Sequence, residues 1–485
     1  MLLNKKNIYE KSSIAEFFEL IFLILLSFFL VYYISFQFNR VFFLIFLPFI
    51  WLTKRDYFWL AFFFILMENP GGLFSGGLRN DPLRLPLYTV LPNISVSIQE
   101  IYFIVVFIKF SLRENSKLYD FLYQKEIKWL TSIFLFLVIF SLIYGVNFVN
   151  FKKILRLTIS LSLAYSVINI LISENGFIRF IKLILPFTFI TLLIQIYSLY
   201  HGKALATLVK PNVSNIQGIY GTENDILQRP IELPHVIFIT FTASLFLLFY
   251  KKHKFKIGYL WFINIFSFIS IFLSGTRIWF IAFCVAYIFV LLIILKNFKR
   301  HFLSLIIVTF LILLLINKIN IINNQIKDAW NRITTIEKII KGDITAGGTV
   351  SRYTQRAPRV MKGFYSSSII FGAGFSNHFY EYADGHVGYH NILLNAGIFG
   401  FLLFFYIIFR FLKLPLNLLK TCKNLDKKML LIVSIIPLLM LLIINSGTQT
   451  IGFTPDSINR IILFAYSIIL IDRSVKIASH KLTGV

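Results

Sequence analysis

The sequence predicts an all-α integral membrane protein of about 12–14 transmembrane helices with one large extracytoplasmic loop, and three observations predict it. The 485 residues are 57% hydrophobic and only 14% charged, with a mean hydropathy of +0.77, far more apolar than a soluble domain of that length. Apolar runs recur along the whole chain, most of them near the roughly 17–25 residues that a helix needs to cross a bilayer. Lysine and arginine gather in every second connection between those runs, the pattern of cytoplasmic loops.

The first run, Ala15 to Ser35, follows Lys5, Lys6 and Lys11 and precedes no small-residue cleavage site, so it reads as an uncleaved first helix. Two shorter runs, 41–53 and 57–67, are either tilted spans or one re-entrant hairpin around Thr53 to Asp56; either choice preserves parity. Further spans fall near 98–112, 128–144, 153–172, 177–200, 234–250, 257–274, 277–295 and 302–316, then at 391–411, 428–445 and 457–472. The chain thus divides into N-terminal membrane helices (1–316), an extracytoplasmic segment (317–389) and C-terminal membrane helices (390–485).

Orientation follows from the short loops. Lys54 and Arg55, the basic stretch from Arg113 to Lys128, Arg179 and Lys182, Lys251 to Lys256, Lys296 to Arg300 and Lys413 to Lys428 occupy alternate connections. With Arg473, Lys476 and Lys481 in the tail, both termini face the cytoplasm, and 68–97, 200–233, 274–277, 317–389 and 446–456 face outward. Lys152 and Lys153 are the exception. The net charge of +26, from 48 Lys and Arg against 22 Asp and Glu, is therefore a topology signal and not a nucleic-acid footprint. Cys284 in a span and Cys422 in a cytoplasmic loop supply neither a disulfide framework nor a metal cluster.

Three outward segments carry the polar groups a reaction needs. Ser274-Gly275-Thr276-Arg277 is a tight turn between two spans; Arg277 either snorkels to the interface or offers a guanidinium fork to a phosphate oxygen. The 200–233 loop holds Glu223, Asp225 and Arg229, either a solvated rim or a binding surface for sugar hydroxyls or a diphosphate. In the long segment, an amphipathic stretch near 324–341 precedes Gly342 to Val350, and a helix over 350–364 broken near Pro358 places Arg352, Arg356 and Arg359 on one face. That face is either solvated or partnered by an anion, because like charges so stacked weaken a helix by a few tenths of a kcal/mol per pair.

Beyond it lie the glycine-punctuated turn Ile370-Phe371-Gly372-Ala373-Gly374-Phe375 and the cluster His378, Glu381, Asp384, His386 and His390. Gly385 and Gly388 interrupt any helix that would set His386 and His390 as zinc ligands. A neutral imidazole at the mouth of the next span fits a general base better.

A Ser-Gly-Thr-Arg turn opening one span, a large outward segment, a Gly-x-Gly turn, then His390-Asn391 followed by Gly397 and Gly400 resemble the O-antigen ligase and O-antigen polymerase superfamily. The resemblance covers about 257 to 411 and rests on the order of the elements. The family's histidine is matched by His390 through the Asn that follows it, and by His386 through its spacing of eleven residues to Gly397.

The resemblance implies a GT-C-like membrane glycosyltransferase in the bacterial inner membrane, its site facing the periplasm. Its donor would be a sugar chain on undecaprenyl diphosphate. The acceptor is another lipid-linked repeat unit in a polymerase, or lipid A core in a ligase. Arg277, Arg352, Arg356 and Arg359 would offset the diphosphate charge, His390 (or His386) would take the hydroxyl proton, and Arg229, Glu223, Asp225 and Asn391 would bind substrate. The scheme needs no cofactor or metal, and no acidic pair stands in the first outward loop, Ser35 to Arg40. A polymerase further predicts a chain-length regulator as partner. A transporter of lipid-linked oligosaccharide is the alternative from another class; it predicts charges at the bilayer midplane and related halves.

Overall fold

The computed structural model describes residues 2–34, 36–68, 85, 87–91, 94–112, 120–201, 234–250, 253, 255–274, 276–297, 352–452 and 458–479. The chain opens with α1 (Leu2–Tyr33), α2 (Phe36–Leu52), α3 (Asp56–Glu68), a hairpin of β1 (Leu87–Leu91) and β2 (Ile94–Ser97), and α4 (Ile98–Leu112). It continues with α5 (Gln124–Tyr144), α6 (Phe148–Ile172), α7 (Glu174–Ile184), α8 (Phe187–His201), α9 (His235–Phe249), α10 (Ile257–Leu273) and α11 (Arg277–Asn297). A π-turn (Arg352–Arg356) then leads into α12 (Ala357–Tyr365), α13 (Asn377–Tyr382), α14 (Gly388–Thr421), α15 (Leu425–Gly447) and α16 (Ile458–Ser479).

This is an α-helical membrane protein. Six stretches among the described residues are long and apolar enough to cross a bilayer: 14–31, 124–144, 148–172, 174–201, 388–421 and 425–447. The expected spans at 128–144, 153–172 and 428–445 are α5, α6 and α15. The 41–67 region is two short helices, α2 and α3, joined by the turn at Thr53–Arg55. The expected span 177–200 lies within the 174–201 stretch, which is built of α7 and α8 because Pro186 brings no N–H to the ladder and the chain turns at Leu185 and Pro186. The stretch before α4, expected as an outward loop, contains the antiparallel β1–β2 hairpin, in which Tyr88 faces Val96 and Thr89 faces Ser95. The expected span 302–316 and the amphipathic stretch 324–341 lie outside the described residues.

The chain divides into two compact units, each drawing on separated stretches: 1–116, 169–276 and 289–330 form one, and 117–168, 277–288 and 331–485 the other. In the first, α9 is the centre, with every side chain from His235 to Leu247 buried, as befits a helix apolar on all sides. Its neighbour α10 presents Asn264, Ser267 and Ser270 inward; Ser267 meets Thr240 at 3.0 Å and Ser270 donates to Gln195 at 2.5 Å. Such polar contacts hold helices together where lipid tails remove the hydrophobic drive.

The turn after α2 is fastened by charge. Lys109, 1% exposed, donates to the carbonyls of Ile50 (3.1 Å) and Thr53 (2.5 Å) and to the Asp56 carboxylate (2.5 Å). Arg55 grips Glu19 through two nitrogens at 2.7 and 2.9 Å, and Arg179 reaches Glu16 (3.3 Å) and Tyr57 (2.6 Å). Two of the basic residues read from the sequence as orientation signals therefore pack α1 against α3 and α7. Lys109→Met is expected to destabilise the unit by about 3–5 kcal/mol, since it strands the Asp56 carboxylate. Thermal melting in detergent checks this, and Tm should fall by more than for Arg55→Met, whose partner Glu19 is 41% exposed.

Candidate functional site

The candidate site lies in the second unit. Its organising feature is a break in α14. At Gly397 the backbone leaves the helix (φ 65°, ψ −173°), and the freed groups are met by the turn 368–375. Ile398 and Phe399 amides donate to the carbonyls of Ile369 (2.9 Å) and Ile370 (3.1 Å), while Ala373 and Gly374 amides donate to the carbonyls of Leu394 and Asn395, both at 2.8 Å. Asn395 adds its side-chain amide to the Gly374 carbonyl at 2.6 Å.

Glycine is required where these backbones meet. A Cβ on Gly372, itself at φ 73°, would lie 2.5 Å from the Asn395 carbonyl oxygen, and one on Gly397 would strike the Ile370 carbonyl. Gly374 (φ 58°) lies against Ser141 of α5, whose hydroxyl accepts from the Phe375 amide at 2.5 Å. The Gly-x-Gly turn and the glycine of the following span, two separate motifs in the sequence, are thus two halves of one joint.

Above the joint, Asp384 gathers the arginines. Its carboxylate lies 3.5 Å from Arg356 and 3.2 Å from Arg359. The expected helix over 350–364 is a π-turn followed by α12, because Pro358 has no N–H to donate back to Thr354. The anion that the arginine face calls for is thus supplied, in part, by the chain itself; two guanidiniums share one carboxylate and leave one positive charge.

Asn391, 1% exposed, clamps the Asp384 backbone from both sides. Its Oδ1 accepts from the Asp384 amide (3.0 Å), and its Nδ2 donates to the Asp384 carbonyl (2.6 Å) and to Gln449 Oε1 (2.7 Å). Both amide hydrogens of Asn391 are thus committed to the protein, and the residue holds the 384 loop against the Gln449 turn. Gln449 in turn donates its amide to the Gly385 carbonyl (2.8 Å) and receives the guanidinium of buried Arg460 on its own carbonyl.

The turn 447–452 that carries Gln449 is built on Asn445, whose Oδ1 accepts from the amides of Thr450 (2.8 Å) and Ile451 (3.0 Å). Gly388, at the start of α14, packs so tightly on Asn445 that a Cβ there would be 2.7 Å from Oδ1. At Gly447 a Cβ would lie 3.1 Å from Ile278 and 3.2 Å from a guanidinium nitrogen of Arg352. Arg352 and the first turn of α11, which Arg277 opens, therefore converge on the turn that holds Gln449.

His390 is half-buried in the first turn of α14, and its imidazole makes no hydrogen bond among the described residues. His386 is exposed; its backbone amide donates to Asp384 Oδ1 at 3.0 Å. His378 ties α12 to α13 through the Gly363 carbonyl (2.8 Å) and Ser366 (3.2 Å). Lys153, one of the two basic residues that break the charge pattern, stands 4.1 Å over the ring of Tyr380, whose phenol burial pushes well above its usual pKa. Glu223, Asp225 and Arg229 lie outside the described residues.

Behind the Gln449 turn opens a cavity of about 110 Å³, walled by Ile127, Phe134, Leu161 and Phe464, with Thr450 and Arg460 at its polar end. Sequence reasoning missed Arg460, Gln449 and Asn445. The available signal was Gly447 and Gly452 flanking a polar turn, with an arginine eight residues beyond, inside the next apolar run. No protein-family model matches this chain, and no curated protein matches its sequence.

Proposed function

We propose that the protein is a membrane glycosyltransferase that polymerises oligosaccharide repeat units carried on undecaprenyl diphosphate, at a site formed by Arg277, Arg352, Arg356, Arg359 and His390. The observation that carries this reading is that Arg356 and Arg359 share Asp384 while Arg352 and Arg460 meet the 447–452 turn, two loops tied together by Asn391, the residue after the unbonded His390, with an apolar cavity behind the second loop. Diphosphate, hydroxyl and isoprenoid chain are the three chemistries such a site suits.

In the proposed reaction an acceptor hydroxyl oxygen bonds to the anomeric carbon of the donor sugar as the bond from that carbon to the phosphate oxygen breaks. Undecaprenyl diphosphate leaves, its growing charge met by the arginines, a contribution often worth about 3 kcal/mol per donor. The hydroxyl proton passes to His390. Arg277 suits an anion in a second way, since it opens α11 where the helix dipole is positive. The chain-length regulator remains a partner proposed on the polymerase reading, and the bacterial inner membrane, with both termini cytoplasmic, is the proposed setting.

Transfer to lipid A core is the second reading, since a ligase needs the same donor chemistry. Transport is less favoured by Glu100, one of the acidic residues in the N-terminal half: its carboxylate accepts from the Ser97 amide at 2.6 Å and Ser97 Oγ accepts in return from the Glu100 amide, a capping box that starts α4. The test is to give purified protein lipid-linked repeat units alone and to resolve products by size. A ladder supports the polymerase; transfer only when lipid A core is added replaces it with the ligase; neither, with vesicle-to-vesicle-face movement of intact donor, replaces both with transport.

Asp384→Asn gives a directional check. It should cost under about 1 kcal/mol of stability, because the arginines it pairs with are 36% and 51% exposed. It should also lower KM for donor several-fold, since two guanidiniums lose their competing carboxylate. An unchanged or raised KM would mean that Arg356 and Arg359 do not meet the diphosphate.

A further inference from the structure

The turn at 368–371 belongs to a segment expected to lie in water, yet its tip is apolar and uncovered. Ile369 is 46%, Ile370 60% and Phe371 37% exposed. Phe371 packs with its ring centre 5.7 Å from that of Phe136 on α5 and 6.1 Å from that of Phe399 on α14. Those two helices continue the same surface with Leu135, Ile139, Leu402 and Phe409, all at least half exposed, as lipid-facing residues are.

Depth is fixed by the helix itself. His390, at the level of Asp384 and its arginines, stands seven residues before Gly397, roughly 10 Å along a helix rising about 1.5 Å per residue. The Ile370 carbonyl bonds to Phe399, beyond that point. The tip therefore sits well below the charged level, toward the end of α14 that carries Lys413 and Lys420.

Non-helical backbone survives at such depth only when its polar groups are satisfied within the protein. Two carbonyls and two amides of the turn are satisfied here. The carbonyls of Ile369 and Ile370 are taken by α14, and the amides of Phe371 and Gly372 bond to Ser368, through its hydroxyl at 3.2 Å and its carbonyl at 2.6 Å. In water, three large apolar side chains set outward side by side would stay hydrated at a cost that lipid removes.

We propose that residues 368–371 form a re-entrant turn seated in the hydrocarbon of the leaflet on the His390 side, with lipid acyl chains as its partner. The turn then anchors the whole 352–389 segment to the bilayer, because the joint at Gly372 and Gly397 couples it to α14 below His390. This inference rests on the membrane fold and the depth of the joint, and holds whichever reaction the site performs.

The test uses the full chain with Cys284→Ser and Cys422→Ser, reconstituted in phosphatidylethanolamine and phosphatidylglycerol vesicles. A nitroxide is placed at Ile370→Cys and, separately, at Leu402→Cys and Glu381→Cys. The ratio of collisions with oxygen to collisions with a nickel chelate should match at 370 and 402 and exceed that at 381 several-fold. Nickel access at 370 equal to that at 381 would place the turn in water and overturn the proposal. Shielding from both reagents would also overturn it, in favour of a protein partner. Ile370→Asp, which carries no label, should lower Tm in the same vesicles, whereas a turn in water would leave Tm unchanged.

Discussion

Replacing Gly397 by alanine is expected to unfold the end of α14 that carries His390 and abolish the proposed glycosyl transfer. Two costs add. The backbone at φ 65°, ψ −173° suits glycine and strains any other residue by about 1–3 kcal/mol. The new methyl would also strike the Ile370 carbonyl, which cannot move without giving up its bond from Phe399. A total of about 3–5 kcal/mol follows, a large fraction of the stability of a typical domain. Gly145→Ala isolates the first cost, since Gly145 has φ 97° and nothing within 4 Å of its Cβ position. Melting curves in detergent should therefore show a small loss of Tm for Gly145→Ala and a large one for Gly397→Ala. Equal losses would mean that the joint with Ile370 contributes nothing.

His390→Ala is expected to remove at least about two orders of magnitude from turnover, the usual range for a general base, with melting temperature unchanged. The imidazole makes no hydrogen bond among the described residues, so its removal leaves no buried partner stranded. His386→Ala should keep turnover within a few-fold, because the exposed His386 contributes a backbone amide to Asp384 that alanine retains. The pair decides between the two histidines that sequence spacing leaves open. The reverse outcome would transfer the role of base to His386.

Much of the helical inventory is legible because apolar length is a local property. The runs expected at 128–144, 257–274 and 428–445 differ from their helices by only a few residues. The joint at Gly397 is not legible in that way. A glycine inside an apolar run costs a helix only about 1 kcal/mol, so the run still reads as one span. What opens the helix is a turn some 25 residues earlier that supplies alternative hydrogen-bond partners, and nothing in the local sequence reveals that pairing.

The site divides along the same line. Arg352, Arg356 and Arg359 are readable as a face from their spacing, whereas the pairing of Arg356 and Arg359 with Asp384 depends on the fold that returns 384 to α12. Asn391 is conspicuous beside His390 and looks like a ligand; its amide is instead committed to Asp384 and Gln449. Arg460 was hidden by the opposite effect. It sits inside an apolar run, where an arginine reads as an orientation signal until its bond to the Gln449 carbonyl is seen.

The most direct test counts lipid against bonds. Each glycosidic bond formed by the proposed reaction frees one undecaprenyl diphosphate, so purified protein supplied with labelled repeat units should release lipid diphosphate and form new linkages in equal amounts, both lost in His390→Ala. Movement of the sugar with its lipid diphosphate still attached, and with no new linkage, would contradict glycosyl transfer.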